Sequence, residues 1–164
     1  MSKKSGRKIA PAPMPKEIGV VDLIDNYFTA YNSARLREIC HLLTRDILQA
    51  GVTVGVSLSG AMTPAGMGVA ALAPLIRNGF IDWMICTGAN LYHDMHFGLG
   101  FELYSDSPFV DDVKLREEGT IRIYDITFGY DVLLETDAFI RKILQGEAFQ
   151  KRMGTAEFHY LLGK

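Results

Sequence analysis

The sequence predicts an α/β fold with a parallel sheet flanked by helices, and three observations carry that expectation. Residues 52–60, VTVGVSLSG, alternate large apolar and small side chains with the period of a strand. A helical stretch and then a second apolar run, IDWMIC at 81–86, follow it. Two strands joined through one helix form a βαβ unit, whose strands run parallel. The off-face residues of the first strand, Thr53, Gly55, Ser57 and Ser59, are small and uncharged. That is what a sheet covered on both faces requires.

The remaining elements follow from the same periodicities. Val20, Ile24, Tyr27 and Phe28 fall near one face of a helix over 20–31, and Leu36, Ile39, Cys40, Leu43 and Ile47 line a second over 33–49. Gly51 ends it. After the first strand Gly60 opens a turn, Thr63 suits an N-cap, and Pro64 suits the first turn of a helix reaching Arg77, with Pro74 as a cost or kink. Asn78-Gly79 stops that helix. Residues 91–105, rich in aromatics, histidines and glycines, read as loop with short helix. An exposed helix is expected over 111–118, a third strand over 121–126 and an amphipathic helix over 131–146. A further helix begins near Thr155, a possible cap. Trp83 reads as core.

Composition excludes several classes. A chain of 164 residues fits one domain. Its formal net charge of −2 argues against a dedicated nucleic-acid binder. Two cysteines, Cys40 and Cys86, do not make a disulfide scaffold, and a reducing, cytoplasmic compartment is the simpler reading. No uncharged apolar run is long enough for a membrane span. Residues 1–18 read as a flexible, basic, Pro-rich tail, carrying Lys3, Lys4, Arg7, Lys8 and Lys16 with Pro11, Pro13 and Pro15. An arm that packs on a partner subunit is the alternative. The folded portion is expected over 19–164.

Ligands of open α/β sheets bind outside the carboxyl ends of the strands. The first such end, Ser59-Gly60-Ala61 running into Thr63 and Pro64, offers small residues and a helix start that suit an anion. A tight turn with close packing explains the same residues. The second end holds Thr87, Gly88, Ala89 and Asn90, then Tyr92, His93, Asp94 and His96. Thr87 and Asn90 can hydrogen-bond a ribose or an amide. His93 and Asp94 can perform acid–base work or hold a cation. His93 and His96 lack an evident third metal ligand, so no metal is expected.

Four runs together resemble the deoxyhypusine synthase family, and more narrowly its synthase-like branch: SLSGAMTPAGM at 57–67, LIRNGFIDWMICTGANLYHDMHFGLG at 75–100, REEGTIRIYDI at 116–126 and TAEFHYLLG at 155–163. The resemblance covers about residues 20–164. It implies a partial Rossmann-like NAD-binding fold. It also implies transfer of the aminobutyl group of spermidine to a protein lysine or a small amine, in a homo-oligomer with active sites at subunit interfaces. Matching motif to motif, Ser59, Gly60, Ala61, Thr87, Gly88 and Ala89 would face NAD. Two acidic positions of the family, one for NAD and one for the polyamine, are Tyr92 and His93 here, with Asp94 retained.

The resemblance also predicts incompleteness. Family enzymes are roughly twice as long, and their second half carries the catalytic lysine. Lys114, Lys142, Lys151 and Lys164 lie in solvated or terminal contexts, so no catalytic residue is expected in this chain. A truncated, split or disrupted product is expected, with apolar surface that leads to a homo-oligomer or to a complementing C-terminal chain. A non-catalytic nucleotide-binding or assembly subunit is the competing expectation.

Overall fold

A computed structural model describes residues 6–164, which divide into two compact units meeting at Val54 and Gly55. Each is described by itself.

The first unit is helical. Residues 6–17 are exposed and form neither helix nor strand. They run back along α1 (Val20–Tyr27): the Arg7 guanidinium donates to the Asp25 carbonyl at 2.9 Å, and the Tyr27 hydroxyl donates to the Pro13 carbonyl at 3.0 Å. The first five residues of the expected tail lie outside the described residues. The helix expected over 33–49 is α2 (Tyr31–Leu42), which widens into a π turn at Leu43–Ile47. His41 on α2 meets Asp25 on α1 at 2.5 Å, and this contact holds the Asp25 carboxyl below its ordinary range.

The second unit begins with the expected βαβ unit. Strands β1 (Gly55–Leu58) and β2 (Trp83–Cys86) pair in parallel, with Gly55 opposite Trp83 and Leu58 opposite Cys86. The connection is less regular than a single helix. A 3-10 turn at Thr63–Ala65 gives way to a π turn at Gly68–Leu72 and then to α3 (Ala73–Arg77). The wide turn lies just ahead of Pro74, whose ring lacks an N–H and crowds the carbonyl four residues back. Thr63 is the first residue of its turn rather than the cap. Asn78 closes α3 and Gly79 follows with φ 72°, as its dipeptide demands.

Three expectations are corrected here. Residues 91–105 are not mainly loop: α4 (Gly88–Gly98) fills their first half, and a short strand, β3 (Tyr104–Ser105), closes them. The third strand does not extend the parallel pair. After α5 (Asp112–Glu117) the chain forms a hairpin, β4 (Thr120–Ile123) and β5 (Ile126–Gly129), in a separate antiparallel sheet ordered β3-β5-β4. The Arg122 guanidinium braces this hairpin, gripping Asp112 of α5 through two bonds of 2.7 and 2.9 Å. Trp83 is 52% exposed, because it lies on the open face of the β1-β2 sheet with Ile85, which is 65% exposed.

The core of this unit forms where α4 and β5 meet α6 (Tyr130–Leu144), around Phe128, His96, Thr136 and Val132. A 3-10 turn at Glu147–Phe149 and α7 (Thr155–Leu162) complete the chain; Gly154, not Thr155, caps α7. Among the described residues no helix is long and apolar enough to cross a membrane.

Gly55 has a defined purpose in this arrangement. A Cβ there would lie 2.1 Å from the Trp83 ring, so the indole rests directly on glycine backbone. Gly55→Ala should displace the ring and destabilise this unit by on the order of 1 kcal/mol. Emission from Trp83, the single tryptophan of the chain, reports the displacement. An unchanged spectrum and unfolding midpoint would contradict it.

Candidate functional site

The carboxyl ends of β1 and β2 are locked together by one buried side chain. Asn90, 2% exposed, sits in the first turn of α4. Its Oδ1 accepts from the Met62 backbone N–H at 2.9 Å. Its Nδ2 donates to the Gly60 carbonyl at 3.0 Å and to Thr87 Oγ1 at 2.9 Å. Its own carbonyl accepts from the Thr63 hydroxyl at 2.6 Å. The Thr87 hydroxyl also donates to the Gly60 carbonyl, and the Thr87 N–H continues the parallel ladder to the Leu58 carbonyl at 3.1 Å.

This network gathers Ser59, Gly60, Ala61, Thr87, Gly88 and Ala89 at one end of the parallel pair. Ser59, Gly60, Thr87 and Gly88 are exposed, while Ala61 and Ala89 are half-buried. A side chain at Gly60 or Gly88 would meet nothing within 4 Å, so both present open backbone. Gly60 turns with φ 65°. Thr87 occupies the cap position of α4, yet its side chain makes no capping bond to that helix. The eleven-residue helix therefore starts with amides that no side chain caps, beside two exposed glycines. Free amides and the helix dipole favour an anion there. The donor set suits an anion, with the Gly88 and Ala89 amides beside the open backbone of Gly60.

Farther along α4 the site residues part company. Tyr92 faces α6: its hydroxyl lies 2.8 Å from Asp137 Oδ1 and 3.2 Å from the Leu133 carbonyl. Burial and the Asp137 carboxylate push its phenol up to about 12. His93 turns the same way, with Nδ1 3.1 Å from His96 Nε2, and His96 Nδ1 lies 2.9 Å from the Thr136 hydroxyl. Burial lowers the proton affinity of both imidazoles, and at His96 the neighbouring His93 lowers it further. Among the described residues no group of three His, Cys, Asp or Glu is placed to hold a metal ion.

Asp94 lies on the other side of α4, one turn beyond Asn90. It reaches a cavity of about 160 Å³ whose walls include Leu58, Leu72, Met84 and Cys86. There it packs so closely on Gly68 that a Cβ would come within 1.9 Å of Oδ1. That oxygen is buried without a partner, and desolvation raises the carboxyl above its ordinary value. The structure thus unites the two glycine turns and separates Tyr92 and His93 from Asp94. Sequence reasoning offered Asn90 to a ligand, whereas the fold spends its side chain on the strand ends. Thr136 carried no sequence signal at all.

Two outcomes follow. Asn90→Ala leaves the Met62 N–H and the Gly60 carbonyl without their partner, and should cost about 2–4 kcal/mol in denaturant unfolding. A loss below the error of the measurement would contradict the clamp. The histidine pair sets a pH dependence. Below the ordinary histidine value of 6.5 the unfolded chain takes protons that the folded imidazoles refuse, so stability falls as the pH drops. Unfolding at about pH 7.5 and 5.5 should show that fall, and His93→Gln should flatten it. Equal slopes in both proteins would refute the assignment.

Comparison with known proteins yields a consistent result. A family described as deoxyhypusine synthase matches residues 22–164. The chain is 84% identical over 164 residues to a deoxyhypusine synthase-like protein of Nostoc punctiforme, covering all of this chain and 42% of that protein. It is 71% identical over 164 residues to a protein of the same description from a Cyanothece species, covering 41% of it. A probable deoxyhypusine synthase 2 of Archaeoglobus fulgidus is 43% identical over 103 residues, which is 63% of this chain and 34% of that protein. The chain thus spans about two fifths of the length of its cyanobacterial relatives, at 42% and 41%.

Proposed function

Because the chain belongs to the deoxyhypusine synthase family, we propose that it supplies the NAD-facing strand ends of a cytoplasmic aminobutyltransferase site. The observation that carries this reading is the Asn90 clamp, which sets the exposed turns at Gly60 and Gly88 side by side at the start of α4. NAD, when bound, supplies hydride acceptance and return. The chain's own residues bind and orient it. Amides of Gly88 and Ala89 hold the pyrophosphate, Ser59 offers its hydroxyl, and Gly60 and Ala61 keep the approach clear. The parallel β1-β2 pair with its ligand end at the carboxyl termini is in keeping with a Rossmann-like unit.

Among the described residues, Lys114, Lys142 and Lys151 do not offer the reaction's nucleophile. Lys142 is exposed, and Lys114 and Lys151 meet Glu118 and Glu157 at the surface, at 3.7 and 2.5 Å. Paired, solvated ammonium groups are poor nucleophiles. An aminobutyl transfer from spermidine to a protein lysine or a small amine therefore needs a complementing polypeptide that provides the nucleophile, in an assembly that can itself be a homo-oligomer of such pairs. Tyr92, His93 and Asp94 are the positions nearest in sequence to the family's acidic pair. The solvated setting of Lys114, Lys142 and Lys151 also favours a second reading, a nucleotide-binding or assembly subunit without chemistry.

Calorimetry with NAD tests the cofactor role. Saturable binding is expected, and Gly60→Val should weaken it roughly tenfold or more by filling the approach and straining the turn. A folded Gly60→Val protein with unchanged affinity would remove Gly60 from the site. Mixing the chain with a polypeptide spanning the rest of the Nostoc punctiforme relative should then yield spermidine-dependent product if the transferase reading holds. NAD binding without product in the assembled complex favours the second reading.

A further inference from the structure

The hydrogen bonds behind His93 determine which of its nitrogens carries the proton. Thr136 and His96 are both fully buried, at 0% exposure. Among the described residues, the Thr136 hydroxyl meets no acceptor besides His96 Nδ1, at 2.9 Å. A buried hydroxyl proton without an acceptor is costly, so the hydroxyl donates. His96 Nδ1 must then be the bare nitrogen, and the neutral ring carries its proton on Nε2. That N–H points at His93 Nδ1, 3.1 Å away, which accepts it. A neutral His93 is left with its own proton on Nε2. An imidazolium at His96 would reverse the first bond, bury a charge with no counter-ion and strand the threonine proton.

The rings are held in this order by packing. His93 and His96 lie edge to face at 5.1 Å, Tyr92 closes on His96 at 5.1 Å, and Phe128 backs His96 at 5.6 Å. His93 itself is half-buried, in contrast to the fully buried His96 and Thr136 behind it.

We propose that Thr136 and His96 are positioning residues which, through the Thr136–His96–His93 hydrogen-bond chain, fix the half-buried His93 as a neutral Nε2–H donor. The group it meets is then an oxygen acceptor, such as a carboxylate, carbonyl or phosphate oxygen, and not an ammonium. The placement of that group in the transferase site rests on the function proposed above; the tautomer does not.

Long-range 1H–15N correlation spectra of the labelled full chain near neutral pH test this directly. Both His93 and His96 should give the Nε2–H pattern, with Nδ1 unprotonated. Thr136→Val removes the hydroxyl proton and should release His96 and His93 into mixed tautomers, while Thr136→Ser should restore the single pattern. His93 protonated on Nδ1 in the unmodified chain would overturn the proposal, and so would an unchanged pattern in a folded Thr136→Val protein. The spectrum of the unmodified chain decides the case even if Thr136→Val fails to fold. A failure to bind NAD would leave these spectra unaffected, so the two readings fail separately.

Discussion

Everything at the carboxyl end of the parallel pair depends on the Asn90 side chain. Strands of four residues cannot fix long loops by themselves, and the ladder between β1 and β2 ends at Leu58 and Cys86. Beyond that point the Asn90 amide replaces backbone pairing. It accepts from one loop at Met62 and donates to its turn at Gly60, while its own backbone starts α4. The amide has both a donor and an acceptor end, which is what two facing backbone segments need. Aspartate would lose the donors, and leucine would lose all of them. Thr87 doubles the contact, which turns its hydroxyl away from capping and leaves the helix amides available to a ligand.

α4 then acts as a partition. On one side, Asn90 and Asp94, four residues apart, face the cavity under β1 and β2. On the other, Tyr92, His93 and His96 pack against α6 and β5. This division has consequences for electrostatics. His93, Asp94 and His96 are each partly desolvated by burial, so the imidazoles are driven toward neutrality and the Asp94 carboxyl toward its protonated form. A helix whose ionisable groups all favour the neutral state suits a dry packing role along its length and an anion only at its start.

The fold was legible where periodicity was clean. β1 showed as alternating Val54, Val56 and Leu58, and α6 as a fifteen-residue amphipathic run. The turns at Gly60 and Gly88 were placed at the strand ends, because small residues after an apolar strand mark a turn. α4 was hidden by its composition: Gly88, Asn90, Tyr92, His93, His96 and Gly98 are all indifferent or poor helix formers. The spacing of Leu91, Met95 and Leu99 at four was the signal available. The hairpin was hidden by its turn. Ile123 pairs with Ile126, leaving Tyr124 and Asp125 as a two-residue loop in which Tyr124 takes φ 57°. Such turns normally announce themselves with glycine or asparagine, so 121–126 read as one continuous strand. Trp83 misled because a large aromatic usually marks the core, whereas here it lies across Gly55 on an open sheet face.

The central claim is that the two strand ends form a rigid seat before any ligand arrives. Residue-resolved native-state hydrogen exchange tests it most directly. The Met62 amide, bonded to Asn90 Oδ1, should be protected to the level of the β1-β2 ladder in the free chain, and NAD should leave it unchanged. The Gly88 and Ala89 amides, which no side chain caps, should exchange fast and slow down only with NAD. A Met62 amide that exchanges freely until NAD is added would contradict the account, because the seat would then be made by the ligand.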